Sequence, residues 1–339
     1  MVTGHTGFKG SWLSLWLAQR GHEVSGLALD PQPGALFIEA DVASVLTDDL
    51  RIDVRDPEAV RRAFDRVQPE VVVHMAAQPL VRASYLEPRL TFETNVMGTL
   101  SVLEAVSSTP SVRAHVIVTT DKVYRNVGQA TGYLEGDALG GDDPYSASKA
   151  MADIMTASWV RSFAGCPTAV ARAGNVIGGG DVSEDRLMPD LLRAFGLGEV
   201  ALLRYPGAVR PWQHVLDCLN GYLGLIDALV AGKGAGAWNF GPSSSSFRTV
   251  REVADLAAAS WGPGASWTSS TGEHPHEAEL LTLDASKAVD ELSWSNRLDF
   301  AEAVSWTVDW SRLVSSGSGA REVTMEQISA FEELGQDAQ

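Results

Sequence analysis

A glycine-rich turn at the start of the chain constrains the fold more than any other feature. The segment Thr3-Gly-His-Thr-Gly-Phe-Lys-Gly10 places glycines at positions 4, 7 and 10 directly before an apolar stretch with helical spacing. Glycines permit a tight turn and let backbone N–H groups approach a phosphate at a helix N-terminus. Asp30 follows at the distance where an acidic side chain accepts hydrogen bonds from ribose hydroxyls. The pattern predicts a dinucleotide site, whereas the glycines alone would also suit an ordinary loop.

Buried strands and amphipathic helices alternate through the first two thirds of the chain. Segments 70–76, 114–120 and 168–172 are apolar and rich in β-branched residues, which is typical of buried strands. Segments 11–20, 57–67, 92–106 and 144–163 carry apolar residues at helical spacing between them. Alternation of this kind predicts an α/β fold with a doubly wound parallel sheet. The later segments 186–195, 215–230, 250–261 and 300–310 also have helical spacing.

The change in pattern predicts two domains. Residues 1–180 form the dinucleotide-binding domain, to which residues 205–240 contribute, and residues 181–204 and 241–315 form a smaller substrate-binding domain. Residues 316–339 begin with a Ser- and Gly-rich stretch and are expected to be a loosely attached tail. Only three residues precede Gly4, where a typical strand has about 5–6. We therefore expect the native chain to start further upstream.

Composition excludes several classes of protein. The chain has 339 residues with 43 acidic and 26 basic side chains, a formal charge of −17, which excludes a basic nucleic-acid binder. No apolar run reaches the roughly 18 residues that a membrane span needs, and the N-terminus lacks a signal-peptide layout. Cys166 and Cys218 are too few for a disulfide framework or a four-thiolate zinc site. We expect a soluble cytoplasmic protein with no metal.

Tyr145 and Lys149 form a candidate catalytic pair. Residues four apart share one face of a helix, so the Lys149 ammonium would lie close to the Tyr145 phenol. We expect this cation to lower the pKa of the phenol from about 10. A tyrosine whose pKa is lowered in this way can remove a proton from a sugar hydroxyl at neutral pH. The alternative is a surface pair that meets by accident.

Thr119-Thr-Asp-Lys122 lies at the end of the predicted strand 114–120. Ligands of open α/β sheets bind at the carboxyl ends of the strands, so these polar side chains are candidate site residues. Thr and Asp are equally common in turns and helix caps. The residues alone leave the two interpretations even.

Together these motifs resemble those of the extended short-chain dehydrogenases/reductases. The glycine run, Ala76-Ala-Gln78, Asn95-Val-Met-Gly-Thr99, Thr120-Asp-Lys122 and the Tyr145/Lys149 pair follow the order of that superfamily. Within that superfamily, three longer motifs resemble those of the sugar-nucleotide 4,6-dehydratases that act on CDP-glucose. They are His74-Met-Ala-Ala-Gln-Pro-Leu-Val-Arg82, Arg172-Ala-Gly-Asn-Val-Ile-Gly-Gly-Gly-Asp181 and Arg210-Pro-Trp-Gln-His-Val215. The resemblance covers residues 2–310.

The resemblance implies a Rossmann fold and a catalytic set of Thr120, Asp121, Lys122, Tyr145 and Lys149. Tyr145 would take the proton of the C4 hydroxyl while the C4 hydride passes to NAD. Lys122 would then remove the C5 proton while Asp121 protonates the departing C6 hydroxyl. Related dTDP-glucose enzymes carry Glu where this chain has Lys122. A lysine acts as a base only in its neutral form.

The resemblance also implies the binding residues and the assembly. NAD would be bound by Gly4, Thr6, Gly7, Phe8, Gly10, Asp30, Asp53, Val54, Ala76, Ala77 and Asn95, with Asn95 also ordering the catalytic helix. CDP-glucose would be bound by Gln78, Asn175, Arg186, Arg210 and His276. A homodimer is expected.

Three alternatives remain open. A nucleotide-sugar 4-epimerase would need the Tyr145/Lys149 pair but no acid and base beside C5 and C6. A dehydratase for another NDP-hexose is the second, because Val182 stands where the family usually has Trp and Leu134 where it often has Arg. The third is a sensor that binds the dinucleotide without turnover.

Overall fold

A computed structural model describes residues 1–129, 131–163, 165–243, 246–270 and 281–336 of the chain. Its strands are β1 Val2–Thr3, β2 Ser25–Ala28, β3 Asp48–Arg51, β4 Val71–His74, β5 Ala114–Val118, β6 Thr168–Ala173, β7 Asn175–Ile177, β8 Val200–Leu203, β9 Val209–His214, β10 Gly236–Phe240, β11 Phe247–Thr249 and β12 Ser266–Ser269. Its α-helices are α1 Phe8–Gln19, α2 Leu36–Glu39, α3 Pro57–Val67, α4 Val81–Leu86, α5 Pro88–Phe92, α6 Gly98–Ser108, α7 Pro144–Ser162, α8 Leu187–Leu197, α9 Val215–Val230, α10 Val250–Trp261, α11 Ser286–Leu292, α12 Phe300–Ser315 and α13 Ala320–Gln336.

Seven parallel strands form the central sheet in the described part of the chain, in the order β10-β6-β5-β4-β1-β2-β3. The strand order reverses between β1 and β4, and the crevice of a doubly wound sheet opens at such a point. Helices cover both faces, and β5 and β6 are buried along their whole length. The predicted α/β doubly wound fold is confirmed.

Local sequence signals determine where several helices begin and end. α3 starts where Asp56 caps the N–H of Ala59 at 3.0 Å and Pro57 occupies the first helical position. It stops at Gln68, which adopts a left-handed conformation with φ of 48°. Such a cap and such a proline satisfy or remove backbone donors that would otherwise lack partners. The observed α3, α9 and α10 therefore have the predicted bounds.

A second lobe packs around its own apolar cluster. Side chains from α8, β8, α10 and α12 bury one another, among them Leu191, Leu203, Val253 and Val304. Capping boxes begin both α10 and α12, through the Thr249/Glu252 and Asp299/Glu302 pairs. The domain boundaries expected from the sequence stay a prediction.

The predicted helix over 92–106 is not regular. A π-helical turn at Glu93–Met97 separates α5 from α6. Asn95 lies in this turn, completely buried, and its side chain forms hydrogen bonds outside the helix. Insertion of one residue into a helix turns such a side chain inward, and π turns are frequent at functional sites.

The expectation of a loosely attached tail is wrong for residues 320–336. These residues form α13, which packs against α1 and α12. Val323, Ile328 and Phe331 are buried, and the Phe331 ring lies edge-on to Trp16 with 5.7 Å between centroids. Burial recurs every three to four residues along α13, which is the period of a helix with one apolar face. Residues 337–339 lie outside the described residues. Among the described residues, every helix is too short or too polar to cross a lipid bilayer.

Candidate active site

One large cavity of about 1130 Å³ opens at the carboxyl ends of the central strands. It lies between the sheet and the second lobe. Its walls include Phe8, Ala77, Thr120, Asp121, Lys122, Tyr145, Lys149, Asn175, Arg186 and Arg210. The structure therefore brings the predicted catalytic set together with three of the predicted substrate residues, Asn175, Arg186 and Arg210.

The glycine turn between β1 and α1 leaves no room for side chains at two positions. Gly4 has φ of +74°, and a Cβ there would lie 2.7 Å from the Ala76 backbone nitrogen. A Cβ on Gly10 would lie 2.2 Å from the Gly4 carbonyl oxygen. The Thr6 hydroxyl donates to the Leu29 carbonyl at 3.0 Å and holds the turn over the end of β2. No side chain caps α1 at Gly7, so its first N–H groups remain available to a phosphate.

Three of the predicted NAD-binding residues follow the carboxyl ends of β2 and β3. Asp30 follows β2 with its carboxylate 89% exposed, 3.8 Å from the Arg51 guanidinium. Asp53 is held by the Arg55 guanidinium, with a 2.6 Å contact that lowers the pKa of its carboxyl. Val54 is buried against Gly98, where a Cβ would lie 2.6 Å from a Val54 methyl. These placements suit a dinucleotide that runs from β2 to β4.

Asn95 links the loop after β4 to α7, the helix that carries Tyr145 and Lys149. Its amide oxygen accepts from the Gln78 N–H at 2.8 Å, and its amide nitrogen donates to the Gln78 carbonyl and the Ser148 hydroxyl. The Gln78 side chain is itself bonded to Leu80 and Thr91. Gln78 thus supports the loop beside the cavity by its backbone and side chain, and the predicted direct role toward substrate stays a prediction.

Thr120, Asp121 and Lys122 leave β5 and enter a 3₁₀ turn, Asp121–Val123. The Thr120 hydroxyl donates to the Asp121 carboxylate at 2.9 Å. Asp121 is only 3% exposed, and burial raises the pKa of its carboxyl against the opposing effects of Lys122, Thr120 and Arg210. A carboxyl biased toward its protonated form is suited to donate a proton.

Tyr145 and Lys149 lie at the start of α7, where Asp143 caps the helix and Pro144 occupies its first position. The Tyr145 N–H donates to the Ser84 hydroxyl at 3.1 Å. The Lys149 ammonium donates to the Val118 carbonyl at 3.0 Å, at the end of β5. Both side chains are more than nine-tenths buried. This geometry fixes the phenol next to the 3₁₀ turn of Asp121.

The expected lowering of the Tyr145 pKa is wrong for the protein without ligands. Burial raises the pKa of Tyr145 to about 12, although the Thr120 hydrogen bond and the Arg186 charge act in the opposite direction. Burial, with a smaller effect of Lys9, lowers the pKa of Lys149 to about 7. Desolvation is the largest cause of both shifts, because each charged form loses its water. Lys149 is therefore a group that can gain or lose a proton near neutral pH.

The predicted substrate residues differ in where the structure places them. Asn175 begins β7 at the cavity wall. Arg186 precedes α8 and lies 3.3 Å from the Asp181 carboxylate, while Arg210 is buried on β9 and donates to the Val209 carbonyl at 2.9 Å. His276 lies outside the described residues.

Lys9 is a cavity residue that sequence reasoning missed. Its ammonium donates to the Tyr222 phenol at 3.1 Å, and its charge acts on Lys149. The signal available in the sequence was a lysine in the first turn of an otherwise apolar helix, two residues after Gly7. Lys9, Arg186 and Arg210 supply positive charge around one cavity of an acidic protein, which suits an anionic ligand.

Comparison with known proteins defines the class to which this fold and site belong. A model of the NAD dependent epimerase/dehydratase family matches residues 1–241, and the chain belongs to that family. Its glycine turn fits a dinucleotide, because the turn is too tight for a Cβ at Gly4 or Gly10 and no side chain caps the first N–H groups of α1. When bound, NAD supplies an acceptor that takes up a hydride and can return it.

Three known proteins are similar to this chain over nearly its whole length. The CDP-glucose 4,6-dehydratase of Salmonella typhimurium is 42% identical over 341 aligned residues, covering 97% of this chain and 95% of that protein. The structure of UDP-glucose 4-epimerase from Thermus thermophilus, in complex with NAD, superposes with a TM-score of 0.80 at 28% identity and covers 92% of this chain and 98% of its own. A dTDP-glucose 4,6-dehydratase from Streptomyces venezuelae, also with NAD, gives 0.78 at 25% identity, with 92% and 96% covered.

Substitution of Gly10 tests the turn as a cofactor site. Gly10→Ala places a methyl group 2.2 Å from the Gly4 carbonyl, so the turn must shift and NAD binding should weaken by about tenfold or more. Gly136→Ala is the matched control, since a Cβ there would meet nothing within 4 Å and the residue lies outside the cavity wall. Calorimetric titration with NAD measures both. Equal affinities for the two variants would contradict the assignment.

Lys149→Met tests whether burial penalises the charged form of Lys149 on α7. The pKa of Lys149 is about 7 in the folded protein against an ordinary 10.5, so the unfolded chain binds more protons between those pH values and stability rises with pH across that window. We expect Lys149→Met to raise the free energy of unfolding by about 2 kcal/mol at pH 7. The gain should shrink toward pH 10.5. Urea unfolding at a series of pH values measures it.

The control for this experiment is Lys233→Met, which changes the same residue type at an exposed position. Its effect on the free energy of unfolding should not vary with pH between 7 and 10. A Lys149→Met variant that behaved in the same way would show that the lysine carries no desolvation penalty.

Proposed function

We propose that this protein is an NAD-dependent sugar-nucleotide 4,6-dehydratase, a lyase that converts CDP-glucose to CDP-4-keto-6-deoxyglucose. The observation that carries the proposal is the placement of Asp121 and Lys122 in the same cavity as Tyr145 and Lys149. This set contains one acid/base group for C4 and a second acid and base for C6 and C5. The 42% identical relative named CDP-glucose 4,6-dehydratase supports the choice of CDP-glucose.

In the first half of the reaction Tyr145 accepts the proton of the C4 hydroxyl as C4 is oxidised to a ketone. Because burial keeps the free phenol neutral, Tyr145 must release its own proton as it accepts this one, and the Arg186 charge favours that ionisation. Lys149 can take the proton onward, because its pKa near 7 makes both of its protonation states accessible. In this proposal the hydroxyl groups of Thr120 and Tyr145 contact the C4 hydroxyl of the substrate.

In the second half Asp121 and Lys122 carry out the elimination. The C4 ketone acidifies the C5 hydrogen, which Lys122 removes in its neutral form. Asp121 gives its proton to the C6 hydroxyl, and the C6–O bond breaks so that water leaves. The buried carboxyl with a raised pKa supplies this proton. The hydride taken from C4 returns to C6, and protonated Lys122 returns a proton to C5, so the reaction involves no net oxidation.

The proposed binding residues form one set for NAD and a second set for the nucleotide sugar. In this proposal NAD contacts Gly4, Thr6, Gly7, Phe8, Gly10, Asp30, Asp53, Val54, Ala76, Ala77 and the loop that Asn95 supports. Asn175, Arg186 and Arg210 bind the nucleotide sugar, and a guanidinium such as that of Arg210 can hold a diphosphate by two parallel hydrogen bonds. His276 and Gln78 are further proposed substrate residues.

The direct test is turnover. Purified protein with NAD and CDP-glucose should form a 4-keto product that has lost one water, detected by its absorbance in alkali and by mass spectrometry. Parallel reactions with dTDP-, GDP- and UDP-glucose show whether another NDP-hexose is preferred. Formation of the 4-epimer without loss of water would favour the epimerase alternative. Binding of NAD with no product from any sugar nucleotide would favour a sensor.

Lys122→Met separates the two halves of the reaction. The variant lacks the C5 base, so solvent deuterium should no longer enter C5, while C4 oxidation continues and reduced cofactor accumulates at 340 nm. We expect dehydration to fall by about a hundredfold or more, within the range for loss of a positioned acid or base. Tyr145→Phe is the control with the opposite pattern, because C4 oxidation itself should be lost. Unchanged dehydration in Lys122→Met would exclude Lys122 as the base.

We infer a homodimer that forms through the outer face of α7. Met151 and Ile154 lie one turn apart on this helix and are 47% and 53% exposed, and Met97 in the neighbouring π turn is 51% exposed. A second copy related by a two-fold axis could bury the same patch on both subunits. The wild-type protein should run as a dimer in light scattering, and Ile154→Glu should run as a monomer. A wild-type monomer would contradict this assembly.

We place the protein in the cytoplasm. Cys166 and Cys218 are both free thiols, and Cys218 is completely buried. A reducing compartment keeps such thiols unmodified.

A further inference from the structure

The Arg172 side chain joins four segments beneath the candidate active site. It lies near the carboxyl end of β6 and is 3% exposed. Two of its nitrogens donate to the two Asp153 carboxylate oxygens at 2.7 and 2.8 Å, which is a bidentate pair. The third nitrogen donates to the Tyr124 phenol at 2.7 Å and to the Glu135 carbonyl at 3.0 Å. All five donor directions of a guanidinium are fixed in one plane, so its partners are held in a fixed mutual geometry.

Tyr124 connects this guanidinium to the Asp121–Lys122 turn. It follows Lys122 by two residues, and its N–H donates to the Asp121 carbonyl at 3.4 Å. Its phenol donates to the Asn239 amide oxygen at 2.7 Å, and its ring stacks on Tyr133 with 5.1 Å between centroids. Burial raises the pKa of this phenol to about 12, so it stays a neutral hydroxyl that can accept from Arg172 and donate to Asn239.

Asp153 connects the same guanidinium to the catalytic helix. It lies four residues beyond Lys149 on α7, on the same buried face, and is 2% exposed. Its carboxylate also accepts from the Thr119 hydroxyl at 3.4 Å, directly before Thr120. The two elements that carry the proposed acids and bases, the turn and the helix, therefore share one buried cation as their common support.

We propose that Tyr124 and Arg172 are positioning residues that set the Asp121–Lys122 turn relative to the Tyr145–Lys149 helix, and that loss of the Tyr124 hydroxyl impairs elimination more than C4 oxidation. The inference rests on the proposed dehydratase function. It follows from the asymmetry of the contacts. The Tyr124 hydroxyl holds the turn, whereas the Asp153 pair and the Ser84 contact of Tyr145 still hold the helix when that hydroxyl is removed.

The test is Tyr124→Phe, which keeps the stacked ring and removes only the hydroxyl. We expect solvent deuterium incorporation at C5 and overall kcat to fall by about ten- to a hundredfold, as a misplaced catalytic group does. The rate of C4 oxidation, followed in a single turnover as the 340 nm absorbance of reduced cofactor, should change less than twofold, and KM should stay close to the wild-type value. Tyr133→Phe is the matched control, because its hydroxyl contacts Val127 and Asn126 instead of Arg172.

Arg172→Lys is the second variant, for the case that Tyr124→Phe does not fold. A lysine keeps a cation for Asp153 but cannot hold two carboxylate oxygens and a phenol together. A selective loss of C5 exchange in either variant, with Tyr133→Phe showing the wild-type ratio of the two rates, supports the proposal. Equal loss of both half-reactions, or loss of neither, overturns it. Absence of turnover in the wild type would instead reject the proposed function, since no variant is needed to observe it.

Discussion

The close contact of β1 with the end of β4 is the constraint on which the rest of the site depends. Thr3 accepts from the backbone N–H groups of Met75 and Ala76 at 3.2 Å and bonds to the His74 ring at 2.7 Å. The other His74 nitrogen meets the Thr99 hydroxyl on α6 at 3.0 Å. Burial and the Lys149 charge lower the pKa of His74 far below its usual range, so the ring stays neutral. This neutral network fixes the turn of Gly4 against the strand from which the cavity floor extends.

Burial then sets the chemistry of the cavity. Desolvation raises the pKa of Asp121 and Tyr145 and lowers that of Lys149, so each group is displaced toward its neutral form. A site whose acids and amine are biased toward their neutral forms can exchange protons without creating isolated charges in an apolar space. The cations Lys9, Arg186 and Arg210 lie around the same cavity, where an anionic nucleotide would compensate them. Local positive charge thus coexists with the formal charge of −17 of the whole chain.

Much of the fold follows from local sequence, and the parts that do not are tertiary in origin. Asp56 and Pro57 determine the start of α3 within a few residues, so its bounds could be predicted. The π turn at Asn95 could not, because it depends on what the side chain meets on Gln78 and Ser148. The grouping of the catalytic residues followed from their places at strand and helix ends. The direction of the pKa shift of Tyr145 could not be predicted from the sequence, because desolvation depends on what the folded chain packs around the phenol.

The two halves of the proposed reaction depend on different elements, and this separation distinguishes a dehydratase from a simpler oxidising site. Tyr145 and Lys149 lie on α7, whereas Asp121 and Lys122 lie on the short turn after β5. A 3₁₀ turn of three residues has few internal hydrogen bonds to resist displacement, so its geometry must come from outside. The Thr120 hydroxyl directly before the turn and the buried Tyr124 directly after it supply that support from both sides. Elimination in the proposed reaction therefore depends on these supports as well as on the acid and the base, since two groups on a short turn are only as well placed as the contacts that hold it.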